Sequence, residues 1–72
     1  MKGDIDRAIS DFSKAIQLNP DNAQAYYNRA VARFNKGMYD ESWEDLQRIG
    51  ASDIKIDPVF LERLKKKTGR RP

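Results

Sequence analysis

The chain has 72 residues, no cysteine and no histidine, with 35% charged and 39% hydrophobic residues and a net charge of +3. That length gives one small domain near the lower limit for a self-sufficient core, and without cysteine no disulfide or thiolate metal site can brace it. No apolar run reaches the roughly 20 residues that span a bilayer, and Met1-Lys2-Gly3-Asp4-Ile5-Asp6 lacks the apolar stretch of a signal peptide, so the expectation is a cytoplasmic protein without a membrane partner.

The first predicted element is a helix over 4–18. Ile5, Ala8, Ile9, Phe12, Ala15 and Ile16 recur at the three- and four-residue steps of one helical face. Asp4 is its expected N-cap, with Gly3 making the turn ahead of it. Leu18-Asn19-Pro20-Asp21-Asn22 stops it, because proline disfavours the α conformation at Asn19 and has no amide to donate. The second helix is predicted over 22–36, capped by Asp21 with Gln24 completing a capping box. Its apolar positions are Ala23, Tyr26, Tyr27, Ala30, Val31 and Phe34, and Gly37 is its expected left-handed C-cap.

A third helix is predicted over 39–49, with Tyr39, Ser42, Trp43, Leu46 and Ile49 as its stripe and Gly50 as its stop. Residues 51–57 read as a connector in which Ile54 and Ile56 alternate with polar residues. The fourth helix, over 58–68, has the clearest start signal: Asp57 as N-cap and Pro58 at the first helical position. Ile56 can staple onto Leu61. Val59, Phe60, Leu61 and Leu64 form the apolar face, and Lys65, Lys66 and Lys67 sit in the last turn, where cations favour the helix dipole. Gly69 ends the helix, and 70–72 read as a disordered tail.

The segments are not independent. Lys2-Gly3-x-x-Asp6 returns as Lys36-Gly37-x-x-Asp40, 34 residues later. In the same register Ile5 falls on Tyr39, Ala8 on Ser42, Ile9 on Trp43, Asp11 on Asp45 and Phe12 on Leu46. A fixed 34-residue period marks a helix-turn-helix solenoid unit. Such units bury their apolar faces by stacking on neighbours and present surfaces to partners.

These residues resemble the tetratricopeptide repeat (TPR) family. The stretch from Ala25-Tyr26-Tyr27-Asn28-Arg29-Ala30 to Lys36-Gly37-Met38-Tyr39-Asp40-Glu41-Ser42 follows the family pattern closely. Tyr26 matches its first-helix aromatic, Ala30 the small residue four positions on, and Gly37 the turn glycine. Ala8 and Ser42 match the small residue early in the second helix, and Phe12 and Leu46 the bulky residue after it. Ala15 matches the small residue near the end, and Pro20 the closing proline. The resemblance covers about residues 2–50 and implies an all-α, antiparallel helix-turn-helix array of about four helices, one domain over 1–72. Within it, 2–22 is the second half of a repeat, 23–50 a complete repeat without its closing proline, 51–57 a connector, 58–69 a capping helix and 70–72 a tail.

The departures are specific. Ile54 stands where the second closing proline belongs, Ile49 replaces the small residue matched by Ala15, Trp43 fills a slot that is usually aliphatic, and Arg33 sits where the family has a bulky apolar residue. The first unit has no first helix. Ile5, Ile9, Phe12 and Ile16 are therefore expected to lack part of their cover. Two explanations are open: a place at the C-terminal end of a longer repeat protein, or self-association as a homodimer.

The expected function is a non-enzymatic module for protein–protein interaction or scaffolding. The resemblance implies a concave surface lined by Gln24, Tyr27, Asn28, Val31, Phe34 and Asn35. Asn28 and Asn35 can each donate to and accept from a peptide backbone. Tyr27 and Phe34 are expected to pack on a neighbouring helix before serving a ligand. One subclass of the family grips C-terminal carboxylates through an asparagine at the Asn28 position. Here Gln24 stands where one of its lysines would fall, and a full clamp is not expected. Arg29 and Arg33, four apart, are expected to pair with the acidic third helix of Asp40, Glu41, Glu44 and Asp45, and Trp43 to serve as a core anchor.

Catalysis finds no footing in a chain without the usual general base or thiol, and neither a metal nor a cofactor is expected. Gly3, Gly37, Gly50 and Gly69 punctuate helices without phosphate-cradling spacing. The alternative function is contact with nucleic acid or an acidic surface. Residues 1–54 carry 7 basic and 9 acidic groups, a balance of −2, and residues 55–72 carry 7 and 2, a balance of +5. Arg63, Lys65, Lys66, Lys67, Arg70 and Arg71 could meet phosphates. Apart from Phe60, which belongs to the apolar face, no aromatic is interleaved with them, so this reading ranks second.

Overall fold

A computed structural model describes residues 2–49 and 55–69, with only the backbone of Lys2. Among these residues the chain forms four helices: α1 (Lys2–Leu18), α2 (Ala23–Lys36), α3 (Tyr39–Ile49) and α4 (Pro58–Thr68). α2 packs between α1 and α3, and α4 closes on α3. The result is an all-α helical array, as the repeat pattern requires.

The core follows the predicted stripes. Tyr26, Ala30, Leu46, Ile49 and Leu64 are buried together, with Ile16, Tyr27, Phe34, Tyr39, Trp43, Ile56, Phe60 and Leu61 packed against them. Ala30 and Ser42 meet where α2 packs on α3. Both are fully buried, and the Ser42 hydroxyl donates to the Ala30 carbonyl at 2.6 Å. A larger side chain at either position would drive the two helices apart. Trp43 is half-buried against the core.

The helix stops are as the sequence implied. Gly37 lies at φ 91°, and its amide together with that of Met38 closes the last carbonyls of α2. Asp57 caps α4 by accepting from the Val59 amide at 2.9 Å, and Gly69 ends that helix at φ 72°.

Four details differ. α1 begins at Lys2, so Gly3 and Asp4 lie inside it and Asp4 is not its cap. A helical glycine costs only about 1 kcal/mol, and Asp4 in the first turn still meets the positive end of the helix dipole. The cap of α2 is Asn22 rather than Asp21. The Asn22 side chain accepts from the Ala25 amide at 3.1 Å, while the Asp21 amide is held in the preceding turn by the Asn19 side chain. This shift leaves Gln24 out of capping-box register, and its amide donates to Asn28 instead at 3.0 Å. Finally, Val59 is 58% exposed. It sits off the stripe formed by Phe60, Leu61 and Leu64, which carry the face of α4 alone.

Gly50, the connector residues up to Ile54, and the tail with Arg70 and Arg71 lie outside the described residues.

Candidate functional site: the groove between the first two helices

No described residue of α1 is buried. Its apolar side chains pack on α2 along one edge and are open along the other. There an open groove of about 390 Å³ runs between Asp4, Ile5, Ala8 and Phe12 of α1 and Asn28, Val31, Ala32 and Asn35 of α2. A recess of about 260 Å³ beside Ile5, Asp6, Asn35 and Lys36 extends it at one end. Lys36 and Asp6 form an ion pair there that ties the two helices.

The groove joins residues that the sequence placed in two separate groups. Asn28, Val31 and Asn35 were expected on a concave peptide-binding surface, and Ile5 and Phe12 on an uncovered face; here they line one trough. The carbonyl of Asn28 already accepts from Gln24, which leaves its NH₂ as the group able to donate to an incoming chain. Val31, Ile5, Ala8 and Phe12 supply apolar floor. The other expected residues lie elsewhere. Tyr27 turns to α4: its ring meets Phe60 edge-on at 6.0 Å, and its hydroxyl accepts from the Asp57 amide at 3.2 Å. Phe34 meets Phe60 and Tyr39 in the same manner. Ile16 packs against the core. Ile9 is half-buried, and its carbonyl accepts from the Ser13 hydroxyl.

Behind the groove, a polar junction locks three helices together. Asp45 of α3 is 2% exposed. It accepts from Arg29 at both oxygens, at 2.7 and 3.0 Å, and from Arg33 at 3.0 Å. Arg29 also donates to Ser13 of α1 at 3.1 Å and lies 5.6 Å from the centre of the Tyr26 ring. Hydrogen bonding to Asp45, more than the carboxylate's charge, holds the Arg29 guanidinium above its usual pKa, against the opposing effect of burial. The expected pairing of Arg29 and Arg33 with α3 is thus present, and Asp45 is the carboxylate that receives both. The sequence singled out neither Asp45 among the four acids nor Ser13. The available signal was position: Asp45 sits on the Ser42–Leu46–Ile49 face, where a lone carboxylate requires buried partners.

The basic candidates are dispersed in their contacts. Lys65 is half-buried, and Lys67 lies over the Tyr39 ring at 5.7 Å. Arg63 and Lys66 are exposed. Among the described residues no group of three or more His, Cys, Asp or Glu is arranged to hold a metal, and no helix is long and apolar enough to cross a membrane.

Comparison with known proteins agrees with the helical array. The family model described as TPR repeat matches residues 1–48. The chain belongs to the tetratricopeptide repeat family. It is 44% identical over 43 residues to an uncharacterised protein of Methanocaldococcus jannaschii, covering 60% of this chain and 50% of that protein. It is 48% identical over 46 residues to tetratricopeptide repeat protein 36 of Mus musculus, covering 64% of this chain and 25% of that one. It is 36% identical over 58 residues to the small glutamine-rich tetratricopeptide repeat-containing protein 2 of Saccharomyces cerevisiae, covering 81% of this chain and 16% of that one. The TPR chain described here therefore spans half the length of the first relative and a quarter or less of the other two. No solved structure matches. TPR proteins are in general non-enzymatic interaction modules, which makes a protein the expected class of partner.

Proposed function

We propose that this protein is an interaction module that takes a segment of a partner protein into the groove between α1 and α2. The observation that supports this reading is the groove itself, where amide side chains at Asn28 and Asn35 flank an apolar floor of Ile5, Ala8, Phe12 and Val31. Apolar floor gives affinity, and paired amides give register along a backbone. Self-association draws on the same exposed face of α1. Contact of α4 with nucleic acid has weaker support. Among the described residues Arg63, Lys66 and Lys67 are exposed, but Lys67 lies over the Tyr39 ring and Lys65 is half-buried, a thin phosphate-binding surface.

Peptides selected from a random library against the chain, titrated while backbone amide shifts are followed, test the reading. Shifts clustered at Ile5, Ala8, Phe12, Asn28, Val31 and Asn35 are expected. Shifts confined to α4, or a salt-sensitive nucleic-acid gel shift abolished by changing Lys65, Lys66 and Lys67 to Ala, would move the function to the basic helix.

A further inference from the structure

The recurring Lys-Gly-x-x-Asp element carries a contact between the two units it marks. Among the described residues two side-chain hydrogen bonds cross from α2 to α1. In one, the Lys36 ammonium of the second copy donates to the Asp6 carboxylate of the first. In the other, Arg29 donates to the Ser13 hydroxyl at 3.1 Å. Asp6 and Ser13 lie seven residues apart on α1, and Arg29 and Lys36 seven apart on α2 in the opposite sense. Seven residues rise about 10.5 Å and return to the same helix face. The two bonds are therefore rungs between antiparallel helices. Each rung residue directly follows one that lines the groove: Asp6 follows Ile5, Ser13 follows Phe12, Arg29 follows Asn28 and Lys36 follows Asn35. The rungs run beside the trough and tie its two walls at both ends.

The rungs are not equally firm. Arg29 is fixed: its Nε and Nη2 donate to Asp45 at 3.0 and 2.7 Å, and the Asp45 side chain is 2% exposed. A rung anchored in this way is screened little by salt. Lys36 and Asp6 are 45% and 54% exposed. An exposed pair of flexible side chains shifts an equilibrium by no more than a few-fold, and added salt weakens it. We propose that the two rungs form a clasp across α1 and α2, with a fixed joint at Ser13–Arg29 and a salt-releasable latch at Lys36–Asp6. α1 opens from α2 at its Asp6 end and turns about its Ser13 end. The use of the clasp rests on the groove reading above: the latch sets the width of the trough between Ile5 and Asn35. A segment seated in the trough bridges the same two walls and holds them once the latch is released.

Amide exchange along α1 tests the clasp without a ligand. Raising sodium chloride from about 20 mM to about 0.5 M is expected to speed exchange about threefold at Arg7, Ala8 and Ile9 and to leave Ala15, Ile16 and Gln17 unchanged. Lys36→Met, an exposed change on the neighbouring helix, is expected to give the same acceleration at low salt and to remove the salt dependence. Asp6→Asn should match it, and the two changes together should add nothing further. Lys36→Arg, which keeps the cation, should behave as the unchanged chain. Ser13→Ala is expected to speed exchange at Ala15–Gln17 as well, at either salt. Exchange at Arg7–Ile9 that ignores Lys36→Met, that rises equally along all of α1, or that rises additively in the double change overturns the clasp. Saturating library-selected peptide is expected to bring Arg7–Ile9 to one slow rate in the unchanged chain and in Lys36→Met. If the exchange pattern holds and no peptide shifts the groove amides, the groove reading fails and the clasp stands. If a peptide shifts them while the Lys36→Met acceleration persists at saturation, the groove reading stands and the link between latch and groove fails.

Discussion

Asp45 is tightly constrained by its partners. It is a carboxylate in an apolar stripe, and it is tolerable there because two guanidinium groups donate three hydrogen bonds to it. Removing it strands two partly buried cations. Asp45→Ala is expected to cost about 3 kcal/mol, a large part of the roughly 5 kcal/mol that a small domain possesses. A urea melt should therefore show a chain left with about 2 kcal/mol, its midpoint below half that of the unchanged chain. Arg33→Leu is expected to be tolerated within about 1 kcal/mol. Arg29 keeps Asp45 paired, the buried Arg33 Nε has no hydrogen-bond partner to lose, and an apolar residue suits a position among packed helices. The same melt measures both changes. The pH dependence follows from the raised Arg29 pKa. A base held above its usual pKa stabilises the fold fully below its unfolded value and loses that contribution only as pH rises past the folded one. The Arg29 contribution should therefore stay constant across the neutral range and vanish only in strong alkali.

At the scale of the helix, what was legible depended on whether the signal was local. Asp57-Pro58 and Gly37 act through φ, ψ and the nearest amides alone, and they placed the start of α4 and the end of α2 without reference to the rest of the molecule. Asp57→Ala is accordingly expected to cost about 1 kcal/mol by thermal melt, and it should loosen α4 before the other helices. The start of α2 was harder to read. Asp21 and Asn22 are both good caps, and the choice turned on Asn19, whose side chain engages the Asp21 amide. Val59 could not be separated from Phe60 and Leu61 by hydropathy, because only the rotation of α4 against α2 and α3 decides which of three adjacent apolar residues faces out. The site was legible in its parts and not as a whole. Asn28, Val31 and Asn35 were placed by the repeat pattern, Ile5 and Phe12 by the missing cover, and only the packing of α1 on α2 shows that the two sets line one trough.

Across the whole of the described array the helices are covered unevenly. At α4, Phe60 and Leu64 pack in the core, and the Tyr27 hydroxyl accepts from the Asp57 amide. At α1 no described residue is buried, and the apolar stripe is shared between α2 and the groove. Local stability should follow this asymmetry, because segments with few buried contacts open first. The amides of α1 are expected to exchange faster than those of α2 and α3, and Ala8→Glu, whose side chain points into an open groove, should cost less than about 1 kcal/mol while abolishing partner binding. Hydrogen exchange across α1, with and without a library-selected peptide, tests most directly whether the groove between α1 and α2 takes a partner segment. Protection gained over Ile5–Phe12, with α4 unchanged, is the predicted result; protection gained only in α4, or none in α1 at saturating peptide, would contradict it.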